Sequence, residues 1–307
     1  MIRKATVAAA CLGLTLSAFA AGAQGSDAVA RKQAESIFAA TGVQGGLVVH
    51  LGCGDGRLTA ALRKDESYVV HGLDTDPVRV DEARKHIRSL GLYGRVSVET
   101  LDGKELPYTD NLVNMVVMQD TGYEIRDEEI MRVLSPGGVL VTLDARRSTL
   151  DSLRKPPREG VDEWTHFLHD ASGNPVAHDT VVGPPRHLQW VAGPRHLRSH
   201  EYLPSINTVV SAGGRIFYIA DQGPIATLQK PAEWKLLARD AYNGLLLWER
   251  PIGKWFSYLF GWTQGPSQLQ RKLVAVGDRV YVTLGFFAPL TALDAATGEA
   301  VKVYPDT

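Results

Sequence analysis

The sequence predicts an α/β domain with a doubly wound parallel sheet, followed by an all-β region built from repeats. Three observations indicate this fold class. Short apolar runs alternate with helical stretches in the first half, a glycine-rich turn follows the first run, and two segments of the second half align with each other. The 307 residues are enough for two hydrophobic cores. We expect a signal peptide at 1–23, the α/β domain at 28–150, a linker or lead-in at 151–175 and the repeats at 176–307.

The first half alternates strands and helices in the manner of βαβ units. Apolar, β-branched runs predict strands at 47–52, 68–74, 96–99, 113–120 and 139–145. Helices are predicted at 28–41, 57–64, 77–91 and 127–134. Strands that alternate with helices at this spacing form a parallel sheet, and ligands bind such sheets at the carboxyl ends of the strands.

The first strand and its following turn read VVHLGCGDGRLTAAL over 48–62, with glycines at Gly52, Gly54 and Gly56. Glycines between a strand and a helix allow the backbone to approach a nucleotide closely. Asp74 follows at the end of the second strand, where a carboxylate can accept hydrogen bonds from both ribose hydroxyls. The alternative is a tight packing turn; the acid at this spacing favours a Rossmann-like nucleotide site.

Four motifs in order, HLGCGDG, HGLDTDP, LDGKELPYTDNLVNMVV and RVLSPGGVLV, resemble those of class I S-adenosylmethionine (SAM)-dependent methyltransferases. The likeness covers about 40–145 and argues against an NAD dehydrogenase. It implies SAM as cofactor, with the glycine loop beside the methionine moiety, Asp74 at the ribose and the 102–103 pair at the adenine. The implied cofactor-binding residues are Gly52, Gly54, Asp55, Gly56, Asp74, Asp102 and Gly103. Cys53, within the loop, is expected to be inert.

Three departures from this family bear on catalysis. His50 and Asn114 stand where the family usually has acids, so both changes would remove a carboxylate from strands that position the cofactor, and His50 could add positive charge near the sulfonium. No room is expected after the fifth strand for the reversed sixth and seventh strands, which makes this a truncated class I methyltransferase fold. No catalytic residue is assigned, although Asp120 and Tyr123 follow the fourth strand.

The second half contains an internal repeat. SAGGRIFYIA at 211–220 aligns with AVGDRVYVTL at 275–284, and an Asp-Ala-x-x-Gly turn recurs at Asp240 and Asp294. Repeats of this size indicate stacked β units such as propeller blades.

Over about 186–307 these repeats resemble those of quinoprotein-type (PQQ-like) β-propellers, and DEWTHFLHDASGNP at 162–175 resembles their lead-in. About two blades are visible, whereas a closed propeller needs at least about four. We therefore expect an N-terminal fragment of a longer protein or a truncated gene product. PQQ is not expected in this chain, because it would need a full ring, a calcium site and a base.

Histidines are concentrated before the repeats. Six of the nine lie between 166 and 200: His166, His169, His178, His187, His196 and His200. They could bind a metal or simply cap turns; because their spacing matches no compact metal motif, no metal ligand is assigned. The tryptophans of the second half are expected to pack between blades rather than to form a ligand cage.

The amino terminus predicts export. Arg3 and Lys4 precede an apolar stretch at about 5–20, and Ala21-Gly22-Ala23 offers small residues for cleavage. The expected location is periplasmic or secreted, with no integral membrane segment after cleavage; an uncleaved membrane anchor is the alternative. The two cysteines, Cys11 and Cys53, provide neither a disulfide framework nor a cysteine zinc site.

Two functions follow from these features. The first is methyl transfer from SAM to an unknown small-molecule or protein acceptor. The alternative is a catalytically degenerate exported binding or assembly protein, in which the β repeats contact protein or polysaccharide. Redox catalysis through the propeller is a weaker third. Nucleic acid is not an expected partner, because the formal net charge of −1 provides no basic excess.

Overall fold

The computed structural model describes residues 26–101, 105–119, 125–144, 149–185, 187–199, 204–256 and 268–307. Several sequence predictions fall outside these residues: the signal peptide, Asp102, Gly103, Asp120, Tyr123 and His200. Within the described ranges, no helix combines the length and the apolar character that crossing a membrane requires.

The first domain is a six-stranded sheet flanked by helices. Its helices are α1 at 26–41, α2 (Arg57–Ala61), α3 (Pro77–Ser89) and α4 (Asp127–Val133). Its strands are β1 (Gly46–Leu51), β2 (Tyr68–Asp74), β3 (Val96–Thr100), β4 (Val113–Gln119), β5 (Leu134–Asp144) and β6 (Thr149–Arg154). The strand order is β3-β2-β1-β4-β5-β6, and the first five strands are parallel, which confirms the Rossmann-like fold.

One expectation about the end of this sheet is wrong. β6 pairs antiparallel with β5, so a reversed strand does follow the fifth strand. The connection between them is short, and a short connection suits an antiparallel hairpin rather than a crossover. The segment TLDSLR alternates poorly, and its Leu153 is exposed at the sheet edge. The sequence therefore carried little strand signal there.

Both faces of this sheet are covered, because neighbouring strand residues point to opposite sides. Val48 packs on the face covered by α1, α2 and α3, where Ile37 and Ile87 are fully buried. Val49 packs on the other face with Ile130 of α4. The parallel strands are consequently mostly apolar, with His50 and His71 as polar residues inside β1 and β2, and Asp74 lies at the end of β2.

The second half forms two four-stranded antiparallel sheets. The first contains β7 (Ile206–Ala212), β8 (Arg215–Asp221), β9 (Trp234–Asp240) and β10 (Leu246–Pro251). The second contains β11 (Leu273–Val276), β12 (Arg279–Thr283), β13 (Leu290–Asp294) and β14 (Ala300–Tyr304). Each sheet follows chain order, β7 lies against β11, and one buried core includes side chains from both sheets. The aligned segments occupy equivalent places, on β7–β8 and on β11–β12.

A tryptophan-on-glycine contact recurs between these units. The Trp248 indole donates a hydrogen bond to the carbonyl oxygen of Ala295 at 3.1 Å and covers Gly298, where a Cβ would lie 2.7 Å from the ring. Trp190 makes the same contact with the first turn, against Gly244. The glycine of each Asp-Ala-x-x-Gly turn is thus required by close approach of the ring. These two tryptophans act as packing residues.

Candidate cofactor site

The glycine loop lies where the strand order reverses, between β1 and β4, which is where doubly wound sheets bind ligands. Gly52, Gly54 and Gly56 all have positive φ, at 79°, 53° and 79°. At Gly56 a Cβ would meet that of Ala83 on α3 at 2.8 Å, so only glycine permits this helix packing. At Gly54 an added Cβ would meet nothing nearer than 4.0 Å. The middle of the loop therefore offers its backbone to open space.

Asp74 ends β2 and is joined to this loop. Its Oδ2 accepts a hydrogen bond from the Gly54 amide at 3.0 Å, and its Oδ1 accepts one from the Asp76 amide at 3.0 Å. The residue is buried. An ionised carboxylate has about four acceptor positions, so two remain for the hydroxyls of a ribose. The structure thus brings the predicted acid and the predicted loop into direct contact.

Asp55 sits at the tip of the same loop and is exposed. Its carboxylate accepts hydrogen bonds from the backbone amide and the Nε of Arg57, both at 3.1 Å. Arg57 also pairs with Asp27 of α1. Asp55 is therefore placed beside the cofactor loop but engaged in organising the start of α2, and its cofactor contact stays a prediction.

His50 does not carry the positive charge that its position suggested. Its side chain is fully buried, with Nδ1 2.8 Å from the Thr59 hydroxyl. Burial lowers the pKa of His50 to about 4, although Asp74 and Asp55 act in the opposite direction. The imidazole is consequently neutral at neutral pH, and the expectation of a charge near the sulfonium is wrong. Position 50 therefore carries a neutral polar side chain in place of the carboxylate expected there.

The expectation that position 114 helps to hold the cofactor is also wrong. It lies at the amino end of β4, the edge opposite the cofactor loop. Its Oδ1 accepts hydrogen bonds from the Leu47 amide and from Asn243 Nδ2, both at 2.7 Å, and its Nδ2 donates to Asp240 Oδ2 at 2.6 Å. Asn114 therefore joins the α/β domain to the first β-sheet and does not position the cofactor.

Cys53 agrees with its predicted inertness. The side chain is buried, and burial together with nearby Asp74 raises the pKa of the thiol to about 12. A thiol protonated at neutral pH is a poor nucleophile. Residues 102–104, 120–124 and 145–148, which follow β3, β4 and β5 in the sequence, lie outside the described residues, and with them the predicted adenine contacts.

Sequence reasoning missed two polar clusters outside the cofactor edge. One is the contact of Asn114 with Asp240 and Asn243; its signal was an amide where related sequences have an acid. The other groups His169 and His178 with Asp162, whose ligand atoms all lie within 4.8 Å of one another. The histidine density was noticed, but an acid seven residues before His169 gave no recognisable metal spacing.

A glycine loop bonded to an acid at the switch point of a doubly wound sheet is typical of nucleotide-binding α/β domains. Residues 48–138 match the model of the methyltransferase domain. The methyltransferase GfsG of Streptomyces halstedii is 35% identical over 121 residues, which cover 37% of this chain and 43% of that protein. The ubiquinone/menaquinone biosynthesis C-methyltransferase UbiE of Vibrio campbellii is 28% identical over 140 residues, covering 43% and 52%.

The chain thus spans about half the length of the curated relatives it matches. Among solved structures, geranyl diphosphate C-methyltransferase of Streptomyces coelicolor, in complex with S-adenosyl-L-homocysteine, aligns at 22% identity over 36% of this chain and 44% of that one, with a TM-score of 0.33. Residues 48–138 are thus similar to a methyltransferase domain, and the relatives reported above are named as methyltransferases.

Proposed function

We propose that this protein transfers the methyl group of SAM to an acceptor bound at the carboxyl edge of the α/β sheet. The observation that carries the proposal is the hydrogen bond between the Asp74 carboxylate and the Gly54 amide. This bond joins the carboxylate proposed to bind the ribose to the open centre of the glycine loop. In the reaction, an electron pair of the acceptor, either a lone pair or the π pair of an electron-rich ring carbon, forms a bond to the methyl carbon while the carbon–sulfur bond breaks. The electron pair of the broken bond neutralises the sulfonium, and the acceptor loses a proton to solvent or a base.

Positioning supplies most of the rate in such a transfer, because the sulfonium already makes the methyl group electrophilic. A fixed loop and a buried acid meet that requirement. The main residue arguments for the degenerate alternative were His50 and Asn114. Asn114 lies at the opposite edge and so does not bear on SAM binding. Neutral His50 adds no charge beside the sulfonium, but the carboxylate expected at position 50 is still missing. These findings remove part of the case for the degenerate alternative, and turnover assays separate it from an active enzyme.

Calorimetric titration of the full chain with SAM and with S-adenosylhomocysteine tests the cofactor site. We expect saturable binding that Asp74→Ala weakens at least tenfold, since hydrogen bonds to a charged group contribute about 1.5–3 kcal/mol. Asp81→Ala, which removes an exposed carboxylate of α3, is the matched control and should bind as the wild type does. Absence of binding by folded wild-type protein, or equal binding by Asp74→Ala, would refute the proposal.

The acceptor is addressed by measuring release of S-adenosylhomocysteine. Relatives named for demethylmenaquinone and for ubiquinone/menaquinone biosynthesis suggest reduced quinones as the first acceptors to assay. We propose no single compound. Turnover above the acceptor-free rate, abolished in Asp74→Ala, would identify a substrate class; binding of SAM without turnover across small-molecule and protein acceptors would favour the degenerate alternative.

We propose further that the two β-sheets are successive propeller-type blades and that the chain acts outside the cytoplasm. The shared core and the repeated tryptophan contact support the first point. The basic-then-apolar amino terminus supports the second. Fusion of residues 1–30 to alkaline phosphatase, which is active only after export, tests the location. An inactive fusion would contradict export.

A further inference from the structure

Three side chains with metal-binding atoms converge in the segment that precedes the first β-sheet. Asp162 Oδ2 lies 2.7 Å from His169 Nε2 and 3.9 Å from His178 Nδ1. The same oxygen accepts a hydrogen bond from the His178 backbone amide at 2.7 Å. The two imidazole rings meet edge to face, with centroids 5.2 Å apart. This group, Asp162, His169 and His178, is called the His–Asp cluster below.

His169 is held in place before any ligand arrives. Its residue exposure is 3%, its φ is +72°, and the Trp164 ring packs against it. A positive φ is uncommon outside glycine, so the turn that aims this imidazole at Asp162 is specified by its surroundings. Among the described residues, His169 Nδ1 is buried with no hydrogen-bond partner, while Asp170 Oδ2 lies 3.6 Å from it.

The unpartnered nitrogen follows from the ring tautomer. If the neutral ring donates its Nε2 proton to Asp162, Nδ1 is bare and faces the lone pairs of Asp170. A cation bound at Nε2 requires the other neutral tautomer, in which the single ring proton lies on Nδ1 and can be donated to Asp170. A metal-bound histidine typically donates its other ring nitrogen to a carboxylate in this way. Asp170 is oriented for that role, because its Oδ1 accepts hydrogen bonds from the Ser172 amide and hydroxyl.

We propose that the His–Asp cluster binds one divalent transition-metal ion of the zinc class, through Asp162 Oδ2, His169 Nε2 and one ring nitrogen of His178. Two imidazoles and one carboxylate form a donor set that zinc accepts. Tetrahedral zinc with bonds of about 2.0–2.1 Å places its ligand atoms about 3.3 Å apart. The 2.7 Å and 3.9 Å separations bracket that distance, so small rotations complete the site. Water takes the fourth position.

The ion would fasten a segment that already connects the two β-sheets. Ser211 of β7 and Trp164 exchange two hydrogen bonds, at 2.7 and 3.0 Å. Thr165 accepts one from the Ala275 amide of β11 at 3.0 Å. Tying His178 to Asp162 and His169 closes a loop over this junction. The metal therefore acts as a structural clamp, and its exposed ligand, His178, leaves the ion an entry path.

Equilibrium dialysis of the tag-free full chain against buffered Zn²⁺, with metal analysis, tests this site. We expect one equivalent bound at micromolar or lower free Zn²⁺, a higher melting temperature with Zn²⁺, and the visible absorption of a four-coordinate ion when Co²⁺ replaces it. His178→Ala removes an exposed ligand with little risk to folding and should weaken binding at least tenfold. His187→Ala and His196→Ala, exposed histidines outside the cluster, are the matched controls and should bind normally.

Asp170→Asn separates the tautomer argument from mere histidine density, since it leaves all three ligands intact. It should weaken Zn²⁺ affinity by about tenfold. Absence of bound Zn²⁺ in the folded wild type, or stoichiometry and affinity unchanged in both His178→Ala and Asp162→Asn, would overturn the proposal. In either case the cluster would be a hydrogen-bonded turn only.

Discussion

Replacing Asn114 by Asp places a carboxylate against Asp240 and tests the domain junction directly. The wild-type amide donates to Asp240 Oδ2 at 2.6 Å. Two carboxylates at that separation would repel by about 6 kcal/mol at an effective dielectric of about 20. Taking up one proton costs less: about 1.4 kcal/mol for each pH unit above a carboxyl pKa of about 3.9. We therefore expect the variant pair to share a proton.

The expected loss of unfolding free energy is about 4 kcal/mol at pH 7 and about 1.5 kcal/mol at pH 5. The sign follows from the raised carboxyl pKa of the pair in the folded variant. The folded variant binds a proton that the unfolded chain releases above its pKa of about 3.9, so the free energy of unfolding falls as the pH rises. Burial already raises the pKa of Asp240 in the wild type, so proton uptake starts from a favourable position.

Urea unfolding at both pH values, followed by circular dichroism, measures this effect. Asn174→Asp, the same change at an exposed loop residue, is the control and should be nearly neutral. If the domains unfold separately in the variant, the loss will appear as two transitions in place of one. A loss below about 1 kcal/mol at pH 7, or a loss that does not change with pH, would refute the contact as described.

Two further predictions concern buried groups. Because the folded-state pKa of His50 is lowered to about 4, its contribution to stability is present above pH 6.5 and is lost as the pH falls. The unfolding free energy of the His50→Gln variant should therefore fall by about 2 kcal/mol less than that of the wild type between pH 7 and pH 5. An unchanged pH dependence would contradict burial of a neutral imidazole. Gly298→Ala should cost more stability and shift tryptophan fluorescence more than Gly277→Ala. Both residues have positive φ, but only the first Cβ would strike Trp248; equal melting temperatures would argue against the tryptophan contact.

The parallel sheet and its cofactor edge could be predicted because their signals are local. The strand is indicated by the apolar run that ends at Leu51, and the loop by the three glycines that follow it. Asp74 is recognisable as a ribose-binding candidate from its position at the end of the next strand. β6 could not be predicted, since a polar edge strand need not alternate. The charge of His50 depends on its burial, because burial lowers the pKa of the imidazole. The residue type alone does not reveal that burial.

The remaining errors concern contacts across long stretches of sequence. Asn114 meets Asp240, 126 residues further along the chain, and no pattern near either residue indicates the other. The His–Asp cluster depends on a positive φ at His169. This conformation is uncommon for residues other than glycine, and nothing in the local sequence predicts it. The repeats were recognised because a whole strand–turn–strand unit recurs, which gives a signal that single contacts lack.

The two ends of β4 have separate tasks. At about 3.3 Å per residue, the five residue steps from Asn114 to Gln119 hold the Asn114 contact roughly 17 Å from the carboxyl end of the strand. The β region thus contacts the α/β domain at the amino end of β4. The described junction of residues 114, 240 and 243 lies away from the carboxyl edge of the sheet, where the cofactor would bind. The attached module could be exchanged or redesigned through residues 114, 240 and 243 without altering the cofactor loop.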